Sequence, residues 1–544
     1  MDDQRVILVG IDGATWNLLG PWVKQKKLPA FAKLMNNGVH GKLESNIPPL
    51  SPPAWTSIFT GVNPGKHNIF GFVKRKENSY FVTPIISSDR KAVPIWNTFT
   101  DHGKRCILLN IPFSYPPDKV NGIMTTGLGT PSKNSEFVHP KDFKNTILKK
   151  FPSYDVDFNE DLILLRSNID PVKQIEKITD AQIELTKYLF KKEKWDFLSV
   201  VFRSLDVVQH YYWKDKKVLL DCYLQMDRFL GWLTSKIDEK TFLLICSDHG
   251  FSGIHTSVNM NNWLQKNNFL KMKERKKGKI KKVLPSAEKI QVLLLKLGLR
   301  KLVNRVKKSK IVEPIIKHLL SSDRVQYIFD VEWAKVKVYF LDGSFGMMNV
   351  NLKGREPEGL IGKNEYEKVR TECTSAILKL RDPVNGARII KKVYRGEELY
   401  NGRSKNIPDI VLEVNEGYNL VSSYDYGGKI FTKEKIRFGE HARFGIFMAY
   451  GPGIKKGTII DNARIYDMVP TVLQVFDIPI SSDIDGKILK GIYDEKTLFL
   501  KTKGATKSHF GKAEPKKEGD AVNSTDERSK IDDHIGKLFR KGII

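Results

Sequence analysis

VILVGID, residues 6–12, is a short β-branched apolar run that ends in an acid and is followed by Gly13. Such a run reads as a strand buried on both faces, and its last residue stands where the strand gives way to a loop. Asp12 is therefore expected at the carboxyl end of a strand. Two later stretches repeat the design: FLSVVFRSLD (197–206) leads to Asp206, and TFLLICSDHG (241–250) leads to Asp248. Helical patterns such as PAFAKLMNNG (29–38), DAQIELTKYLFKKEK (180–194) and YDMVPTVLQVF (466–476) alternate with them. This alternation predicts an α/β fold with a mostly parallel central sheet and helices on both faces. In such sheets ligands bind outside the carboxyl ends of the strands, where all three acids fall.

With 544 residues, 41% of them hydrophobic, the chain can bury a large core and is not a disordered polymer. The formal charge of +28 is concentrated: residues 271–310 hold 16 Lys and Arg against two acids. In that region QVLLLKLGLRKLVNRVKK (291–308) sets apolar residues at three- and four-residue spacing beside the basic ones. A basic helical insertion or cap is expected at 265–324, splitting a catalytic domain into 1–264 and 325–497. Its charge and apolar stripe suit a peripheral contact with an anionic membrane or another polyanion; the plain alternative, which weighs slightly more, is a stripe packed onto the core with its lysines merely solvated. The stretch 498–544 is polar and lysine-rich, a composition expected to stay disordered. No run of about 18 apolar residues occurs and the N-terminus is acidic, so a cytoplasmic setting is expected. The cysteines Cys106, Cys222, Cys246 and Cys373 lack CxxC spacing, which leaves reduced, buried thiols as the expectation.

Asp206 and His210 are four apart, so on a helix after the strand both side chains face one way, as two ligands of one metal must. The adjacent Asp248 and His249 at a strand end diverge and can serve two metals or two sides of one. The plain alternative is a helix-capping acid beside an ordinary loop histidine. His441 lies in the polar loop before the apolar stretch FGIFMAYGPG (444–453). Ser51 sits in IPPLSPPAWTSIFTG (47–61), where prolines start a helix directly behind the hydroxyl. A helix N-terminus favours phosphate and the alkoxide form of a serine; the plain alternative is an N-cap serine.

The order of these pieces resembles the alkaline phosphatase superfamily, and within it the type I phosphodiesterase/nucleotide pyrophosphatase group with its phosphohydrolase and phosphomutase-like prokaryotic members. The resemblance is carried by GIDGATWNLL, IPPLSPPAWTSIFTGVNPGKHNIFGF, SLDVVQHYYW, SDHGFSG, NLKGREPEG and AYGPGIKKG, and spans residues 5 to 495 apart from the basic segment. It implies a metal-dependent phosphoric ester hydrolase acting on a small phosphoester through a covalent phosphoserine at Ser51. It further implies one divalent ion on Asp206, His210 and His441 and another on Asp12, Asp248, His249 and the Ser51 oxygen. Zinc is the default for such mixed imidazole and carboxylate ligands, with manganese the alternative.

The same residues serve a phosphodiesterase, a phosphomonoesterase or a phosphomutase. The reading from another class is a catalytically weak scaffold that binds a polyanion or membrane through its basic segment. Two departures narrow the expectation. The group usually has a phosphate-binding Asn shortly after the nucleophile helix, where this chain has Phe72, with Asn68 displaced, so nucleotide specificity does not carry over. Sulfatases of the superfamily place an arginine where this chain has Trp55, which argues against sulfate esters. Asn68, Lys66 and Arg203 are the candidates for substrate contact. His67, His255, Lys353 and Arg355 are weaker ones, and Asp467 is expected to cap a helix.

Overall fold

The computed structural model describes residues 4–158, 170–273, 330–341 and 345–495, together with 497, 507 and 508. Nine strands form the central sheet in the order Thr458–Arg464, Val39–Glu44, Phe444–Tyr450, Thr241–Cys246, Arg5–Ile11, Phe197–Phe202, Cys106–Ile111, Gly122–Thr126 and Val138–His139. The five strands from Thr241–Cys246 to Gly122–Thr126 run parallel. Phe444–Tyr450 and Val138–His139 are antiparallel to their neighbours.

The apolar run at 6–11 is explained by burial on both sides. Ile7, Val9 and Ile11 pack into one core with the helices Trp16–Lys24, Pro29–Asn37, Pro171–Lys192 and Lys216–Thr234. Val6 and Leu8 pack into the other, with Ser51–Thr60, Ile95–Asp101 and Met468–Val475. Alternate side chains of one strand thus serve opposite layers, the arrangement that a parallel sheet covered on both faces requires.

After Asp248 and His249 the chain leaves as the strand Gly250–Asn259, which pairs antiparallel with Gly439–Ala442. Between these strands a second core forms. The antiparallel strands Val338–Tyr339, Met347–Val350, Ile410–Val414 and Ile390–Arg395 pack with the helix Tyr366–Ile377. The chain rejoins the central sheet through Phe444–Tyr450; the residues from Val331 to Leu420 build the second core together with Tyr80 and the stretch from Val258 to Leu270, and the return follows them. The basic stretch expected as an insertion lies outside the described residues from 274 to 329, as does the expected polar tail apart from residues 507 and 508. The four cysteines are free and buried. Among the described residues no helix is long and apolar enough to cross a membrane.

Candidate active site

The register Gly10↔Cys246 and Ile11↔Phe202 brings three strand ends level. Asp12 follows the first. Beyond Phe202, Arg203 opens the helix Ser204–Tyr212, which carries Asp206 in its first turn and His210 one turn later. Beyond Cys246, Asp248 and His249 lead into a strand, so Asp248 caps no helix. His441 arrives from far along the chain because its strand pairs with the one leaving the site, opposite Phe251. Ser51 is the first residue of the buried helix Ser51–Thr60, whose cap position is Leu50, so the serine is not an N-cap. Pro52 and Pro53 lack N–H groups, which leaves Ser51 the one N–H donor of that helix's first three residues.

All the expected metal-holding residues and Ser51 come together. Ser51 Oγ is 3.2 Å from His249 Nε2. The same nitrogen is 3.2 Å from Asp248 Oδ2 and 3.6 Å from Asp12 Oδ1. Asp206 Oδ1 lies 3.3 Å from His210 Nε2 and 3.2 Å from His441 Nε2, and the two nitrogens are 3.1 Å apart. Each imidazole turns its Nδ1 to a backbone carbonyl at 3.0 Å: His210 to Gly439, His249 to Gly250 and His441 to Pro49. A carbonyl only accepts, so a proton on Nδ1 suits each of these contacts and leaves Nε2 facing the centre of the site, while at His210 the Arg437 guanidinium also approaches the ring, 2.7 Å from Nδ1 and 2.9 Å from Nε2.

The three carboxylates share one design. Asp12 Oδ2 accepts from Trp55 Nε1 at 2.9 Å, Asp248 Oδ1 from the Gly13 N–H at 3.3 Å, and Asp206 Oδ2 from Arg203 Nη1 at 3.3 Å. The other oxygens, Asp12 Oδ1, Asp206 Oδ1 and Asp248 Oδ2, are buried without a hydrogen-bond partner. Buried acceptors facing lone pairs are costly unless a cation lies among them.

The proton affinities reflect this. Burial and then the charges of Asp248 and Asp206 raise the Asp12 carboxyl well above its usual range. Burial and then Asp206 push Asp248 up to about 7. Burial and then His441 hold His249 well below its ordinary value. Burial also opposes ionisation of Asp206, but His210 and His441 hold it well below the usual carboxylate range. Burial pushes His441 down, yet Asp206 and Glu440 outweigh it, so a proton on this ring can stand in for missing positive charge.

The donors form groups close enough to hold a divalent ion, among them Asp206, His249 and His441 as well as Asp12, Asp248 and His249. Tetrahedral zinc with bonds of ~2.0–2.1 Å sets its ligand atoms ~3.3 Å apart, close to the spacing within Asp206, His210 and His441. The ligand atoms of Asp12, Asp248 and His249 lie within 4.8 Å of one another.

Comparison with known proteins identifies the group. The sequence profile of the type I phosphodiesterase/nucleotide pyrophosphatase family matches residues 6–442. The chain belongs to this family. Its fold is similar to that of phosphonoacetate hydrolase from Sinorhizobium meliloti 1021 in complex with phosphonoacetate, at 14% identity and a TM-score of 0.52, covering 86% of this chain and 94% of that one. Human ectonucleotide pyrophosphatase/phosphodiesterase 5 matches with a TM-score of 0.49 at 15% identity, covering 89% of this chain and 97% of that one. A local match joins the chain to GPI ethanolamine phosphate transferase 3 of Saccharomyces cerevisiae, 32% identical over 63 residues. That match spans 12% of this chain and 6% of the yeast protein's length.

In this type I phosphodiesterase family member, the residues expected at the substrate have partners within the protein. Lys66 Nζ pairs with Asp485 Oδ1 at 2.5 Å, and Asn68 Oδ1 accepts from Ser404 Oγ at 2.7 Å. Arg203 Nε donates to Asp157 Oδ1 at 2.8 Å, so its guanidinium bridges Asp157 and Asp206. His67 is buried beside Ser57 Oγ at 3.0 Å, and burial together with Arg90 lowers its pKa to about 3, which keeps it neutral. His255 is exposed, with Nδ1 2.8 Å from Thr256 Oγ1. Arg355 pairs with Asp409 and Glu356 in the second core, and Asp467 accepts from the Arg464 and Lys487 N–H groups.

The sequence reading missed Trp55, Arg437, Glu440 and Asp157. Gly10 is the one of these contacts' causes visible in the sequence: a Cβ there would meet Trp55 at 2.4 Å, so the glycine lets the indole lie against the strand and reach Asp12. Trp55→Phe keeps the ring but removes the N–H. It is expected to weaken divalent-cation binding about tenfold, the scale of losing a group that orients a ligand. Metal titration of the variant against the parent checks this.

Proposed function

We propose that the chain is a metal-dependent phosphoric ester hydrolase of the phosphodiesterase or nucleotide pyrophosphatase type, with Ser51 as its nucleophile. One observation carries the reading: three buried carboxylates, each anchored through one oxygen, turn their free oxygens toward three imidazole Nε2 atoms beside the Ser51 hydroxyl. Asp206, His210 and His441 would hold one ion, and Asp12, Asp248, His249 and the Ser51 oxygen the other. Zinc is the preferred identity and manganese the alternative. When bound, such a pair lowers the serine pKa and neutralises charge on the attacking and leaving oxygens.

The protein's own groups do the rest. The Ser51 oxygen lies 3.2 Å from His249 Nε2, close enough for both to reach one ion, and the buried helix behind it fixes its direction. Ser51 Oγ gives up its proton to solvent and forms a bond to phosphorus as the ester oxygen leaves with its electron pair and takes a proton from solvent. Water then attacks the phosphoserine and restores the hydroxyl. The positive end of the helix Ser51–Thr60 favours the phosphoryl charge through its dipole, since its prolines supply no N–H. A cytoplasmic setting, supported by four free buried thiols, completes the reading.

Turnover of bis-p-nitrophenyl phosphate and p-nitrophenyl phosphate with added zinc or manganese tests it. The diester is expected to be the faster substrate, and chelation to abolish both activities. A faster monoester would move the reading to a phosphomonoesterase or phosphomutase.

A further inference from the structure

Glu440 precedes His441 on the strand that closes the site, and no role has yet been given to it. Its side chain is only 13% exposed. Oε1 accepts from the His441 N–H at 3.1 Å and lies 3.8 Å from His441 Nε2 and 3.9 Å from His210 Nδ1. Oε2 is buried without a hydrogen bond, with Arg437 Nη2 3.4 Å away. Ligand atoms of His210, Glu440 and His441 lie within 4.8 Å of one another. The oxygen that faces the two imidazoles, Oε1, accepts the His441 N–H and retains a further lone pair that a cation beside them can use.

We propose that Glu440 is a further metal-holding carboxylate at the His210 and His441 pole, and that it shifts this pole's preference from zinc toward manganese. A second carboxylate makes the ligand set richer in oxygen, and oxygen donors suit manganese better than they suit zinc. This rests on reading the site as a divalent-cation site. The competing role for Glu440 is to hold Arg437, whose Nη2 lies 2.7 Å from His210 Nδ1. If Glu440 serves only that ion pair, breaking it from either side acts alike; if Glu440 is a ligand, the two sides differ. Removing the carboxylate weakens cation binding if Glu440 is a ligand. Removing the guanidinium breaks the same ion pair but takes away a positive charge that repels a cation.

The test is competition of Mn2+ and Zn2+ against an indicator chelator on the full chain. The parent should bind two ions. Glu440→Gln should weaken Mn2+ binding at one of the two sites by tenfold or more, and Zn2+ binding less. Arg437→Gln should bind Mn2+ as tightly as the parent or more tightly. Unchanged binding in Glu440→Gln, or equal weakening in both variants, overturns the role of Glu440 while leaving the site reading intact. A parent that binds neither ion overturns the site reading itself. Should Glu440→Gln fail to fold, the visible spectrum of the Co2+-loaded protein replaces it. Glu440→Asp should change the band and Arg437→Gln should not; an unaltered band in Glu440→Asp overturns the proposal.

Discussion

Ser51→Ala is expected to lower kcat on a phosphodiester by roughly four orders of magnitude or more while leaving metal content nearly unchanged. The substitution removes the attacking oxygen. It leaves every carboxylate and imidazole of the site in place, since Ser51 Oγ touches the set only through His249 Nε2. Its helix is secured independently: all ten residues from Ser51 to Thr60 are buried, and Leu50, not Ser51, occupies the cap. The variant should therefore fold and load as the parent does. Retention of more than a few per cent of the activity, measured with metal-saturated protein, would remove Ser51 from the nucleophile's role.

Asp248→Asn should change stability in opposite directions with and without metal. In the metal-free protein the Asp248 carboxyl is raised to about 7 by burial and by Asp206. A carboxyl whose folded pKa is raised contributes stability that is present below its unfolded value near 4 and is lost as pH rises through about 7. Above about pH 7 the metal-free parent thus carries an ionised, buried and unpaired acid, and the neutral amide relieves it. With metal present the carboxylate becomes a ligand, and its loss forfeits binding energy that adds to folding, about 2.7 kcal/mol where metal stands at a hundred times Kd. In thermal melts at about pH 8 the variant should be the more stable protein in chelator and the less stable one with zinc or manganese. Both differences should shrink as pH falls toward about 4, where the acid is protonated in the folded and unfolded chain alike. Melts that shift the same way under both conditions would deny Asp248 its place at a cation.

The parts of the site that were legible in the sequence are those whose geometry is local. Asp12, Asp206 and Asp248 follow apolar runs, and a run buried on both faces can hardly be anything but an interior strand. The four-residue spacing of Asp206 and His210 fixes a shared helix face. His441 is different, because its approach depends on pairing with Phe251 across the whole second core, and only the family resemblance pointed to it. The candidates Lys66, Asn68 and Arg203 illustrate the limit from the other side. Their side chains suit phosphate, and each also has a partner remote in sequence, Asp485, Ser404 and Asp157, that no local pattern reveals, while Arg203 reaches Asp206 as well. Trp55 was visible as a departure from the sulfatase pattern, yet its bond to Asp12 depends on how closely a helix approaches Gly10. The second core from Val338 onward read only as strand-like alternation, since short antiparallel strands carry weak periodicity and their sheet order is set by tertiary packing.

The most direct test of the account is to quench the metal-loaded protein in acid during turnover of a phosphodiester and map its phosphorylated peptides by mass spectrometry. Phosphate on Ser51, absent from Ser51→Ala and absent when the ions are chelated beforehand, is the predicted result. Undiminished turnover with no phosphate on Ser51, or with phosphate on another residue, would contradict it.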